Sequence, residues 1–89
     1  MYKLLGENDL FRVIQVTRKP GQRDAWHSHA GPLTVYGLTD CKTRLYTPDG
    51  KSVERDAKKG AVSFTPAVSS HSAENIGKNA CQQLIVERK

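Results

Sequence analysis

The sequence predicts an all-β fold, a small jelly-roll β-barrel of short antiparallel strands, on three observations. Turn formers recur at short intervals: Pro20-Gly21, Gly31-Pro32, Pro48-Asp49-Gly50, Lys59-Gly60, Pro66 and Gly77-Lys78-Asn79. The segments between them are about one or two strands long and rich in Val, Ile, Thr and aromatic residues. These intervals leave little room for a long helix.

Each element follows from that punctuation. Residues 10–18 are dense in β-branched side chains and read as the first strand. The Trp26-His27-Ser28-His29 run reads as extended, with Trp26 alternating away from His27 into the core between sheets. Residues 33–38 and 42–47 are strands, and Pro48-Asp49-Gly50 turns the second back into 51–55, because Asp-Gly supplies the left-handed backbone a tight hairpin needs. Residues 61–65, closed by Pro66, then 72–76 and 81–87 complete a set of six to eight strands.

At 89 residues the chain is expected to be one domain, 1–89, near the lower limit for a self-sufficient core, so a homodimer is expected. With 37% apolar and 26% charged residues it has the composition of a folded globular domain. No apolar run approaches a bilayer span and the first residues lack a signal-peptide core, so no membrane partner and a cytoplasmic location are expected. In that compartment Cys41 and Cys81 are expected as buried free thiols; neither has zinc-type spacing. The net charge of +5 is scattered over strand ends and turns without a basic block, which argues against nucleic acid as a partner. A small anionic substrate remains compatible with it.

The chain has three histidines. On a strand His27 and His29 point to the same face, since side chains alternate with period 2. If a distant strand brings His71 alongside, three imidazoles form one face of a metal coordination sphere, with other positions open to water or substrate. The competing reading is that they are remnants, packed or hydrogen-bonded in a barrel that has lost its metal.

The punctuation around these histidines resembles the two short motifs of the cupin superfamily. Gly21, five residues, then His27-Ser28-His29 matches the opening of the first motif. Its glutamate is absent: Leu33 and Thr34 stand where it is expected, and Thr39-Asp40-Cys41 stands where the motif ends in glycine. Gly60, five residues, Pro66-Ala67-Val68, Ser69-Ser70, His71, three residues and Asn75 match the second motif, with Val68 in place of its central glycine. Together the motifs and the hairpin between them cover about 55 residues.

The resemblance implies an RmlC-like cupin jelly roll with one divalent transition metal held by His27, His29 and His71, the three-histidine variant that lacks the motif glutamate. Iron is the metal implied first, with nickel, manganese, zinc and copper as the others. Without a carboxylate the ligand set is neutral, which favours an anionic, enolisable or thiol substrate that chelates the ion. The implied function is a non-haem Fe(II) dioxygenase acting on a small molecule; the alternative is a non-catalytic small-ligand-binding or sensor module. Thr34 and Tyr36 share a face and are candidate pocket residues, as is Asn75, on the same face as His71, for orienting a ring or tying down a loop. Glu74, on the opposite face, is expected in solvent or paired with a lysine, and Gln83 and Arg44 are further polar wall candidates.

Overall fold

The computed structural model describes residues 1–29, 31–66 and 68–89, so Ala67 of the Pro66-Ala67-Val68 segment lies outside the described residues. Nine strands follow in order: β1 (Tyr2–Glu7), β2 (Phe11–Arg18), β3 (His27–His29), β4 (Leu33–Gly37), β5 (Cys41–Tyr46), β6 (Ser52–Ala57), β7 (Val62–Thr65), β8 (Val68–Asn75) and β9 (Cys81–Arg88). None of the described residues is helical. A five-stranded sheet runs β1-β2-β9-β4-β7 and a four-stranded sheet runs β3-β8-β5-β6, with every pairing antiparallel. From β2 onward every connection except the β5–β6 hairpin crosses between the sheets, closing a jelly roll, as the turn spacing predicts.

The β5–β6 hairpin is built as the Asp-Gly pair requires. Cys41 pairs with Ala57 at one end and Tyr46 with Ser52 at the other. Gly50 takes φ +85°, which a side chain would strain, and Asp49 Oδ1 accepts the Lys51 amide at 3.0 Å. Gly31 is required for a different reason: a Cβ there would lie 2.1 Å from the Arg88 carbonyl oxygen. The chain entering β4 can therefore lie against the end of β9.

The core is small. Val16, Leu33 and Ile85 form its buried cluster, with Ile14 and Val35 packed against it. Cys41 and Cys81 are joined in a disulfide with Cα atoms 5.1 Å apart, which corrects the expectation of free thiols. Their strands, β5 and β9, lie in different sheets, so the bridge ties the two layers together. Residues far apart in sequence give no local sign of pairing; only the sandwich brings them within bonding range.

Trp26 also departs from expectation. It is 50% exposed, with the Arg23 guanidinium 5.5 Å from its ring, instead of lying between the sheets. Alternation does carry it away from His27, but the His27 side faces the barrel interior, so the opposite side is solvent.

Candidate metal centre

β3 and β8 pair at one edge of the four-stranded sheet, and the register sets His27 directly opposite His71. One extra residue on β8 is accommodated before His29 meets Val68. The ring centroids of His27 and His71 are 4.3 Å apart, those of His27 and His29 5.0 Å, and those of His29 and His71 5.1 Å. Each ring offers a nitrogen, and these atoms all lie within 4.8 Å of one another. Residues 42 positions apart in sequence thus converge on one point.

The donor set fits a transition-metal ion. Nδ1 of His27 is 2.9 Å from the Ala25 carbonyl oxygen, which fixes its proton there and leaves Nε2 as the lone-pair donor. His71 has its pKa pushed down to about 4, first by burial and then by the neighbouring His27 and His29. It is therefore neutral at pH 7, the state a metal requires of imidazole.

That shift has a consequence for stability. The unfolded chain protonates His71 near 6.5, whereas the native protein takes up that proton only near 4. Across this window the unfolded state binds more protons, so the metal-free protein is expected to lose stability as the pH falls from about 6.5 to 4. The ring is partly open to solvent, so the loss is on the order of 1–2 kcal/mol, below the full linkage value. Urea midpoints at both ends of the window measure it, with His71→Asn removing this contribution; a wild-type midpoint no lower in acid would contradict it.

A buried ion pair stands behind the histidines. Arg18 and Asp24 are 4% and 7% exposed, and Arg18 donates from Nη2 at 2.6 Å and Nε at 3.2 Å to Asp24 Oδ2. The Tyr2 hydroxyl donates to the same oxygen and accepts from Arg18 Nη2 at 2.9 Å. Burial and then the Asp24 carboxylate hold the Tyr2 phenol up to about 12. Burial alone would raise the Asp24 pKa, but the Ala73 amide, Tyr2 and Arg18 outweigh it and hold the carboxyl below its ordinary value. Asp24 Oδ1 accepts the Ala73 amide at 2.7 Å and lies 3.8 Å from His27 Nδ1. One carboxylate thus anchors β8 two residues from His71 and touches the ring of His27.

His27 and His71 line a cavity of about 590 Å³ between the sheets, and His29, 9% exposed, is packed against both rings. Leu33, Val35, Leu45 and Ile85 supply apolar wall; Thr43, Gln83 and Arg55 supply polar atoms. On β4 it is Leu33 and Val35 that face the cavity. Thr34 lines a shallow groove on the outer surface and Tyr36 is 44% exposed, so neither pocket candidate reaches the interior. The period of 2 is present on β4, but its phase is set by the pairing of Leu33 with Glu87 and Val35 with Ile85, which place the odd residues inward.

Asn75 is fully buried and ties down a loop: its amide donates to the Arg18 and Asn79 carbonyls and its oxygen accepts the Gly77 amide. None of these bonds goes to an imidazole. Glu74 accepts from the Tyr46 hydroxyl at 2.6 Å instead of pairing with a lysine. Gln83 reaches the cavity and accepts from Arg18 Nη1 at 3.4 Å, while Arg44 lies outside and pairs with Glu54. Sequence reasoning passed over Glu87, whose Oε1 lies 3.4 Å from His29 Nδ1. The available signal was the alternation of β9, which puts 81, 83, 85 and 87 on one side.

Solved structures place this architecture in a class. A cupin domain from Bordetella pertussis superposes with a TM-score of 0.91 at 24% identity, covering 100% of this chain and 92% of that one. An RmlC-like cupin family protein with a double-stranded β-helix fold from Methanocaldococcus jannaschii gives 0.79 at 12% identity, covering 99% and 78%. A cupin superfamily protein from Desulfitobacterium hafniense gives 0.72 at 16% identity, covering 99% and 75%. No protein-family model matches the sequence, and no curated protein matches it. The chain has the cupin fold, with a cluster of three histidines that could hold a metal ion.

Proposed function

We propose that this chain is a mononuclear metalloenzyme, a non-haem Fe(II) dioxygenase that acts on a small chelating substrate. The observation that carries the reading is the meeting of three imidazole nitrogens within 4.8 Å beside a cavity large enough for a small molecule. Iron bound there would supply O₂ activation and a chelation point for substrate.

The chain's own residues do the rest. Leu33, Val35, Leu45 and Ile85 exclude water from one side of the cavity. Arg18 is neutralised by Asp24, whereas Arg55, which lines the cavity opposite Thr43, has no ion-pair partner among the described residues. With Asp56 also in the lining, Arg55 is the wall cation that an anionic substrate group would pair with. Enolisable acids, 1,3-diketones and thiols are the substrate classes that combine negative charge with chelation.

Association into a homodimer belongs to the same reading. Tyr36, Val62, Phe64 and Val86 stand exposed on the outer face of the five-stranded sheet, and a second copy would cover them. Light scattering giving the mass of one chain would remove this part. The cytoplasmic location expected from the sequence is opposed by the disulfide, since such bridges persist in oxidising compartments.

Oxygen uptake by the Fe(II)-loaded protein with each substrate class is the test. Uptake that depends on substrate and is lost in His71→Ala is expected. Bound iron with no uptake in any class would overturn the enzyme reading and favour a module that binds small ligands without turnover.

A further inference from the structure

We propose that Glu87 is the positioning residue for His29: its carboxylate accepts the Nδ1 proton and so turns Nε2 toward the metal position. This rests on the metal-binding reading above and adds to it a residue from the last strand.

Three observations carry it. First, His29 Nδ1 is the one buried side-chain nitrogen or oxygen among the described residues without a hydrogen-bond partner, and an orphaned polar atom at such depth is costly. Its acidic neighbour is Glu87 Oε1 at 3.4 Å, in reach of Nδ1 but short of an aligned hydrogen bond. Second, Glu87 is itself buried, at 9% exposed, and among the described residues the only Lys, Arg or His nitrogen within 4.0 Å of its carboxylate is His29 Nδ1. Arg12, its cross-strand neighbour on β2, is engaged with Glu7. A buried carboxylate and a buried imidazole that face each other with no other side-chain partner among the described residues answer one another's needs.

Third, His27 already shows the same arrangement, with Nδ1 against the Ala25 carbonyl and Nε2 left over. If Glu87 takes Nδ1 of His29, both rings of the His-x-His pair present the same nitrogen. An acceptor on the far side of a ligating imidazole fixes its tautomer and orientation and raises its basicity, and removing such a partner costs about 10–100-fold in metal affinity. The pairing of Glu87 with Leu33 places the carboxylate beside β4, so the negative charge enters the site's surroundings from β9.

Long-range ¹⁵N NMR of the imidazoles at about pH 8, above the ordinary histidine range, tests the assignment in the metal-free protein. His29 is expected protonated at Nδ1 in the wild type, with that preference lost in Glu87→Leu. Zn(II) affinity by chelator competition is expected to fall about 10–100-fold in Glu87→Leu and less in Glu87→Gln, which keeps an acceptor oxygen and the side-chain shape. His29 protonated at Nε2 in the wild type would overturn the proposal, as would unchanged Zn(II) affinity in both variants. Failure of the wild type to bind Zn(II) would instead sink the metal reading, and the tautomer of His29 would then decide the role of Glu87 alone.

Discussion

Replacing Asp24 with alanine is expected to destabilise the protein by about 3–5 kcal/mol, because it strands the Arg18 guanidinium in a buried site. The side chains of the pair are 5% and 2% exposed, so water cannot take over the interaction. Total stability for a chain of this length is about 5–10 kcal/mol, so the variant stands near the unfolding threshold at 25 °C. The loss is not the worth of the ion pair itself. It is the penalty for an unpaired buried charge, added to the Ala73 amide and Tyr2 hydroxyl left without their acceptor. The double variant Arg18→Met with Asp24→Leu is accordingly expected to recover the part of the loss due to the unpaired charge, while the Ala73 amide and Tyr2 hydroxyl still lack their acceptor. Urea unfolding of the three proteins measures both effects. A single variant within about 1 kcal/mol of the wild type would contradict the buried-pair account.

Reducing the Cys41–Cys81 bridge is expected to cost about 4 kcal/mol, the chain-entropy value for a loop of this size. The bridge closes a loop across 40 positions and joins the two sheets where, among the described residues, the buried apolar cluster is Val16, Leu33 and Ile85. A domain with so little fully buried apolar surface depends on such a staple more than a larger one does. Urea midpoints with and without reductant, with Cys41→Ala/Cys81→Ala as the control, give the number. Coincident midpoints would show that the layers hold without it.

How much of this was legible in the sequence follows the range of the forces involved. Local chemistry was readable. Asp49-Gly50 located the β5–β6 hairpin, the β-branched run at 10–18 located β2, and the motif glycines Gly21 and Gly60 are positions of positive φ. What depended on distant pairing was not. β1 has no signature in the sequence because it is an edge strand whose residues are all exposed, so no burial alternation marks it. β8 begins at Val68, four residues before the expected start at 72, because its length is set by pairing with β3 and β5.

The site divides in the same way. His27 and His29 share a face by strand periodicity alone, and the motif spacing pointed to His71. Periodicity does not say which face of β4 is inward, and pairing with β9 turns Thr34 and Tyr36 outward. Arg18, Asp24 and Glu87 are ordinary charged residues in sequence; their burial arises only when β2, β8 and β9 meet around the histidines.

On the proposed reading His27, His29 and His71 together hold one metal ion. Metal content of untagged protein by inductively coupled plasma mass spectrometry, after reconstitution with Fe(II), Ni(II) or Zn(II) and beside His71→Ala, tests it most directly. Near-stoichiometric metal is expected in the wild type and its loss in the variant. An empty wild type with every ion, or equal metal in both proteins, would contradict it.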